Sequence, residues 1–523
     1  MTRRKKGWLI GIAAALPIFG VAVWIAVSVI SKRFEPLIRE QAIRYLHERF
    51  QSDVELAALR VHWPKMSALN ILRTRGRGYK VVVEGEGLAL RLGGSRDLAP
   101  LFAIRKVQFM VDLGTLSEDR KTVEAVWIEG MQITIPPKGE RPHLAGQNDT
   151  RFHVLIQDVR IGDGLLVILP RDKSKTPLNF QIQRLTLKSN GLDGPMSYDG
   201  ALTIPKPRGL VHSQGSFGPW SANEPGDTPL AGDYTFENAD LAVFNAIAGT
   251  LNSSGKFDGT LDSVHARGEA SVPDFRLKAV GNRVPLSTRF EVLVDGTNGD
   301  TILKPVSARL GKTSFTTTGA VIKHEEERRH AINLKVTMPD GDMRDLLRIA
   351  TKKAPFMDGR ITLNTTIGIP PFSGPVKEKL VLDGQFEVRD ARFLGASIQE
   401  QVDQLSRRGQ GQPKNEEIEQ VLSNMQGAFR LENEVMTFQS LSFGVPGANV
   451  DLAGVYDMDK DTLDFHGALK LTARVSQTMS GWKRWALKPV DPFFAKNGAG
   501  TYLRIQVVGS SRQPKFGRDR GGK

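Results

Sequence analysis

Nine histidines, many carboxylates and no cysteine are the side chains available for chemistry in this 523-residue chain. Without cysteine there is no disulfide framework, no thiolate metal site and no thiol nucleophile. The stretch "GTLNSSGK", Gly249 to Lys256, comes near a phosphate loop. Its spacing is one residue too long, and Phe257 stands where Ser or Thr would meet magnesium, so it reads as a hairpin turn. His324 and His330 flank "EEERR", a pattern that suits a solvated hairpin tip better than a metal site. Asp457, Asp459 and Asp461 share a polar break with no apolar pocket to raise a carboxyl pKa, and the remainder of a calcium loop is missing. "RTRGR", Arg73 to Arg77, has no interleaved aromatics and reads as a solvated loop rather than a nucleic-acid contact. Neither a Gly-x-Ser-x-Gly elbow nor a His-Glu-x-x-His helix is present. The expectation is a protein that is not an enzyme, with no catalytic residue, no cofactor and no metal.

What the sequence does specify is a succession of strands. "VDLAGVYDMDKDTLDFHGALKL", residues 450 to 471, alternates, breaks at "DMDKDT" and alternates again. A period of two around a polar break is a hairpin with one apolar face. Val450, Leu452, Leu463, Phe465, Leu469 and Leu471 are the candidate lining of that face, while Asp464, His466 and Lys470 point the other way. Alternation alone leaves two uses open, an ordinary core contact or a surface kept for something greasy. About two dozen such runs follow one another, and weak repetition links "LGKTSFTTTGAVI", "FGVPGANVDLAGVY" and "LNSSGKFDGTLDSV". Repeated hairpins over several hundred residues predict an extended sheet of stacked similar units.

Helices are expected at "FEPLIREQAIRYLHERF", "ADLAVFNAIAG" and "DGDMRDLLRIATKK", the last with Asp342 as N-cap, and as a pair at "ASIQEQVDQLSRRG" and "NEEIEQVLSNM".

The net charge of +14 sits largely in the tails: Arg3, Arg4, Lys5 and Lys6 at one end, and "RQPKFGRDRGGK" at the other. That distribution argues against a basic nucleic-acid face on the body. Gly7 to Ser31 carries no charge. At 1.5 Å per residue, roughly 25 residues make about 37 Å of helix, enough to cross a bilayer. It is longer than a signal-peptide core and lacks a clear cleavage site, so an uncleaved anchor is expected. Basic residues ahead of it favour a cytoplasmic N-terminus with the body across the membrane.

Several stretches resemble the AsmA family of bacterial envelope proteins. They are the anchor with "RFQSDVELAALRV", then "ADLAVFNAIAGTLNSSGKFDGTLDSVHARGEASVPDFRL", and most specifically "DGQFEVRDARFLGASIQEQVDQLSRRGQGQP", "LSFGVPGANVDLAGVYDMDKDTLDFHGALKL" and "DPFFAKNGAGTYLRIQVVGSSRQPKFG". The resemblance implies a mainly β protein. A single N-terminal transmembrane helix would precede an elongated, curved antiparallel sheet that forms a groove, with a few short helices. The parts would be a cytoplasmic tail (1–6), an inner-membrane anchor (7–31), a periplasmic β-rich region (32–375), an AsmA-like C-terminal region (376–517) and a basic tail (518–523). It further implies phospholipid in the groove, a role in outer-membrane lipid homeostasis, possible envelope protein partners, and no catalytic residue. A scaffold or assembly factor for outer-membrane proteins is the alternative. About two dozen strands at about 4.8 Å each give a sheet on the order of 115 Å, shorter than the members thought to span the periplasm.

Overall fold

The computed structural model describes residues 36–519, apart from segments 48–52, 63–77, 92–99, 113–119, 136–152, 170–176, 190–193, 220–224, 325–328, 372–375 and some shorter ones. The expected anchor at 7–31 and the "RTRGR" loop at 73–77 lie outside the described residues. No described helix is long and apolar enough to cross a membrane. The described residues between 36 and 47 are helical, as the amphipathic pattern there predicts, and Arg39 donates to the Leu56 carbonyl at 2.7 Å.

The chain is mainly β, and among the described residues 23 strands form one large, mostly antiparallel sheet. It divides into two compact units, Met1–Phe236 with Asp258–Leu261, and Glu237–Phe257 with Asp262–Lys523. The first carries β1 (Asp53–His62), β2 (Lys80–Arg91), β3 (Phe102–Asp112), β4 (Arg120–Ile135), β5 (His153–Ile168), β6 (Leu178–Ser189), β7 (Met196–Pro205), β8 (Arg208–Phe217) and most of β9 (Pro229–Asp240). From β1 to β8 each strand pairs with the next, antiparallel except for the parallel pair β4–β5.

The second unit continues with β10 (Ile247–Ala248), β11 (Thr250–Thr260), β12 (Ser263–Val272), β13 (Arg276–Leu277), β14 (Leu286–Val294), β15 (Thr301–Leu310), β16 (Thr313–His324) and β17 (Arg329–Asp342). Helix α1 (Met343–Ala350) leads into β18 (Met357–Ile369) and β19 (Val381–Phe393). Helix α2 (Ala396–Gly409) precedes β20 (Ser423–Glu432), β21 (Val435–Val445), β22 (Ala448–Asp457) and β23 (Thr462–Leu471). The short α3 (Asp491–Phe494), β24 (Thr501–Ser510) and β25 (Gln513–Arg518) close the unit. From β14 onward every strand pairs antiparallel with its successor, and β12 pairs with β14 across the small β10–β13 ladder.

Local chemistry explains the turns. Asn433 and Glu434 both adopt positive φ, 51° and 62°, the pair of left-handed residues that a two-residue hairpin with matching twist requires. Asp342 caps α1 as expected, its carboxylate accepting from the Arg344 N–H at 2.9 Å.

Three expectations fail. "GTLNSSGK" is strand interior in β11, not a turn; the chain reverses only at Leu261–Asp262. Its small polar residues alternate with the same period as a strand, and turn-type residues do not by themselves make a turn. "ADLAVFNAIAG" makes a three-residue 3-10 helix, Leu241–Val243, and then β10, because pairing with β13 claims the backbone of Ile247 and Ala248. "NEEIEQVLSNM" is turns and then strand. The buried Asp403 carboxylate accepts from the N–H groups of Gln420 at 3.0 Å and Val421 at 2.9 Å, which ties this segment to α2 as turns rather than helix.

The apolar clusters are local. One joins Ile104, Val126, Ile128, Met131 and Ile161 on β3, β4 and β5. Another packs Leu347 of α1 on Met338, Ile361 and Val388 of β17, β18 and β19. A third packs Val402 of α2 on Val445, Ala448 and Leu471. Each joins strands that neighbour one another in the sheet, together with any helix laid on them.

Candidate functional site

Directly opposed residues share a face of a sheet, so the register shows what each face carries. The hairpin β22–β23 opposes Val450 to Leu469, Leu452 to Gly467, Gly454 to Phe465, Tyr456 to Leu463 and Ala448 to Leu471. All six candidate residues therefore lie on one face. That face extends well beyond the hairpin. One row runs Ile361, Val388, Met425, Phe443, Val450, Leu469 and Leu503 across seven strands. A second runs Leu334, Ile367, Leu382, Leu431, Met436, Tyr456 and Leu463.

Between these rows lies a line of rings. Phe386, Phe429, Phe438 and Phe465 follow one another with centroid distances of 6.2, 6.5 and 5.7 Å. Phe438 and Phe465 meet across β22 because Gly454 stands between them. A Cβ there would lie 2.2 Å from the Asp464 carbonyl oxygen and 2.6 Å from the Phe465 Cα. Gly427 gives Phe386 similar room, at 3.0 Å from its ring edge. Sequence reading missed this line, because each Phe sits in a separate run and only the register aligns them. Glycines inside strands were the available signal.

The six residues do not share one environment. Leu471 is buried beneath α2, and Leu469 packs against the same cluster, so that end of the hairpin is closed core. Phe465 is buried within the ring line. Val450, Leu452 and Leu463 are half-buried. The first unit, taken by itself, has a comparable face: Leu88, Ile104, Met131, Gly164, Ile182, Leu202 and Val211 form one row from β2 to β8.

The reverse face of the second unit is polar. Thr362, Glu387, Gln426, Ser442 and Asp451 make a row across β18 to β22. Asp451 accepts from Lys470 at 2.9 Å, Ser442 at 2.8 Å and Asn449 at 2.9 Å. Burial pushes its carboxyl pKa up, but those three donors outweigh burial and hold it below the ordinary value. His466 lies between Asp519 at 3.1 Å and Asp464 at 3.0 Å, and the two carboxylates raise its pKa.

Ser442 and Lys470 tie Asp451 across neighbouring strands, while Asn449 and Asp464 act within their own strands. The buried carboxylates serve backbone donors: Asp345 takes the Lys312 N–H at 2.6 Å, and Asp491 takes the Ser476 N–H at 2.8 Å. Among the described residues no group of three or more acidic or histidine side chains is placed to hold a metal. No family model matches the chain, and neither a curated protein nor a solved structure is similar to it.

Proposed function

We propose that this is a non-enzymatic envelope protein, anchored in the inner membrane by residues 7–31, that holds or conducts phospholipid acyl chains along the apolar face of its sheet. The observation that carries this reading is the pair of apolar rows that together cross β17 to β24, with Val450, Leu452 and Leu463 half-buried on the same face. A single layer with one greasy face needs an apolar partner. Transferring a sixteen-carbon chain out of water is worth on the order of 12 kcal/mol at ~0.8 kcal/mol per methylene. Bulges at Met338/Gly341, Val388/Ala391 and Phe438/Leu441 favour bending of the sheet into a groove. The resemblance to the AsmA family points the same way.

The second reading, a scaffold for outer-membrane proteins, draws on the edge strand β25. It pairs with Ile505–Ser510 of β24, and all six of its residues are exposed.

Photo-crosslinking in the full chain separates the two. A crosslinker at Leu452 should capture phospholipid, identified by mass spectrometry, while one at Ala453 on the opposite face should not. Capture of outer-membrane proteins without lipid at Leu452 would replace the first reading with the second.

A further inference from the structure

In the antiparallel meander of the second unit, successive connections fall alternately on two opposite rims. One rim carries 273–285, Gly311–Lys312, 343–356 with α1, 394–422 with α2, Pro446–Gly447 and 472–500 with α3. The segment 241–249 joins it, since β10 pairs with β13 and Lys278 donates to the Ala242 carbonyl at 2.6 Å. Backbone ties lace these connections into one ribbon. Asn282 N–H donates to Arg348 at 3.0 Å, Leu394 N–H to Phe356 at 2.9 Å, and Ala473 N–H to Gly409 at 2.8 Å.

Two independent properties coincide on this ribbon. Of the twelve large apolar side chains exposed among the described residues, seven lie on it, with Phe356, Leu394 and Ile398 near its middle at 48, 44 and 45% exposure. Among the described residues of the opposite rim's connections, Met458 is the one such side chain. Charge divides the same way. Among the described residues, the connections of the first rim hold nearly twice as many Lys and Arg as Asp and Glu. The described connections of the other rim, 295–296, 299–300, 370–371, 376–380, Asn433–Glu434, 458–461 and Ser511, hold more acids than bases. On the first rim, Asp345, Asp403 and Asp491 are turned inward onto backbone N–H groups, which leaves its outer surface more basic than the count. The acidic exception is the 416–419 stretch beyond α2.

We infer that this rim is a peripheral contact for an anionic bilayer surface, with Phe356, Leu394 and Ile398 entering the headgroup region and Lys352 and Lys353 meeting lipid phosphates. Exposed apolar side chains bounded by lysines are the combination that an anionic interface selects. An acidic protein partner would meet the charge, but it would not need apolar side chains spread singly along a ribbon. The inference stands apart from the acyl-chain reading, which concerns the face of the sheet and not its rim.

The chain has no native cysteine, so single labels report cleanly. Phe356→Cys, Ile398→Cys and Met458→Cys, each carrying a polarity-sensitive fluorophore, are compared in full chain reconstituted into phosphatidylcholine vesicles with and without phosphatidylglycerol. The first two labels should shift to the blue only with the anionic lipid. The shift should be lost in Lys352→Glu/Lys353→Glu and at about 0.5 M salt, where screening shortens to a few ångströms. The Met458 label should not respond. Equal shifts in both lipids, an equal response at Met458, or no shift at all would overturn the inference. A shift already present in detergent and growing with protein concentration would assign the rim to a second copy of the chain, and would overturn it as well.

Discussion

Gly454 shows how much at the residue scale depends on register. Its missing Cβ lets Phe465 lie over β22 and reach Phe438. Gly454→Ala should lower stability by about 2–3 kcal/mol through overpacking, read as a shift in urea midpoint. Gly162→Ala, whose Cβ would meet nothing within 4 Å, should shift little. Alternation in the sequence was enough to put the six hairpin residues on one face, but not to show that Leu471 and Leu469 are closed in by α2, which lies about 60 residues earlier in the chain. Nor could it show that Lys470 is paired with Asp451. Lys470→Glu therefore is not silent: it should lose a favourable pair and place two carboxylates together, lowering the urea midpoint more at low salt than at high. His466 adds a pH dependence. Its pKa is raised in the folded chain, so the stabilisation from Asp519 and Asp464 is complete below the unfolded value of about 6.5 and is lost as pH rises through the folded value. His466→Gln should thus lower the urea midpoint near pH 5.5 and leave it nearly unchanged near pH 9.

Among the elements, α2 depends on one carboxylate. Asp403 accepts from Gln399 on its own helix at 2.8 Å and from the backbone of Gln420 and Val421 beyond it, so a single side chain fixes where helix ends and strand begins. Asp403→Ala takes an acceptor from the buried Gln399 amide and from the part-buried N–H groups of Gln420 and Val421, and should cost about 2 kcal/mol. Amide exchange at Gln420 and Val421 should accelerate more than at β22, which separates a released segment from general loosening. Helix α2 itself was legible from its apolar spacing. The helix expected over "NEEIEQVLSNM" was not formed, because a carboxylate from outside the window ties that backbone, and local propensity has no access to it. The same reason accounts for β10, whose partner β13 lies beyond the full β11–β12 hairpin.

Across the whole molecule, the mainly β class and the number of strands were written plainly in period-two runs, since each strand needs only one apolar face. The side-chain neighbours on that face, the helices laid at its end and the division into two units were not, because they arise from register. Within the second unit, cohesion passes from strand to adjacent strand, and amide protection should follow cover. Strands β17 to β19 beneath α1 and β21 to β23 beneath α2 should exchange last, and β25, exposed at every residue, first. The alternation of rims has a further consequence for how such a chain can change length. Duplicating one hairpin would displace everything beyond it by about two strand spacings, ~9.6 Å, and leave each later connection on its own side. Duplicating a single strand would carry every later basic connection across to the acidic side. Size is thus counted in pairs of strands, and only even steps preserve which side of the molecule carries which charge.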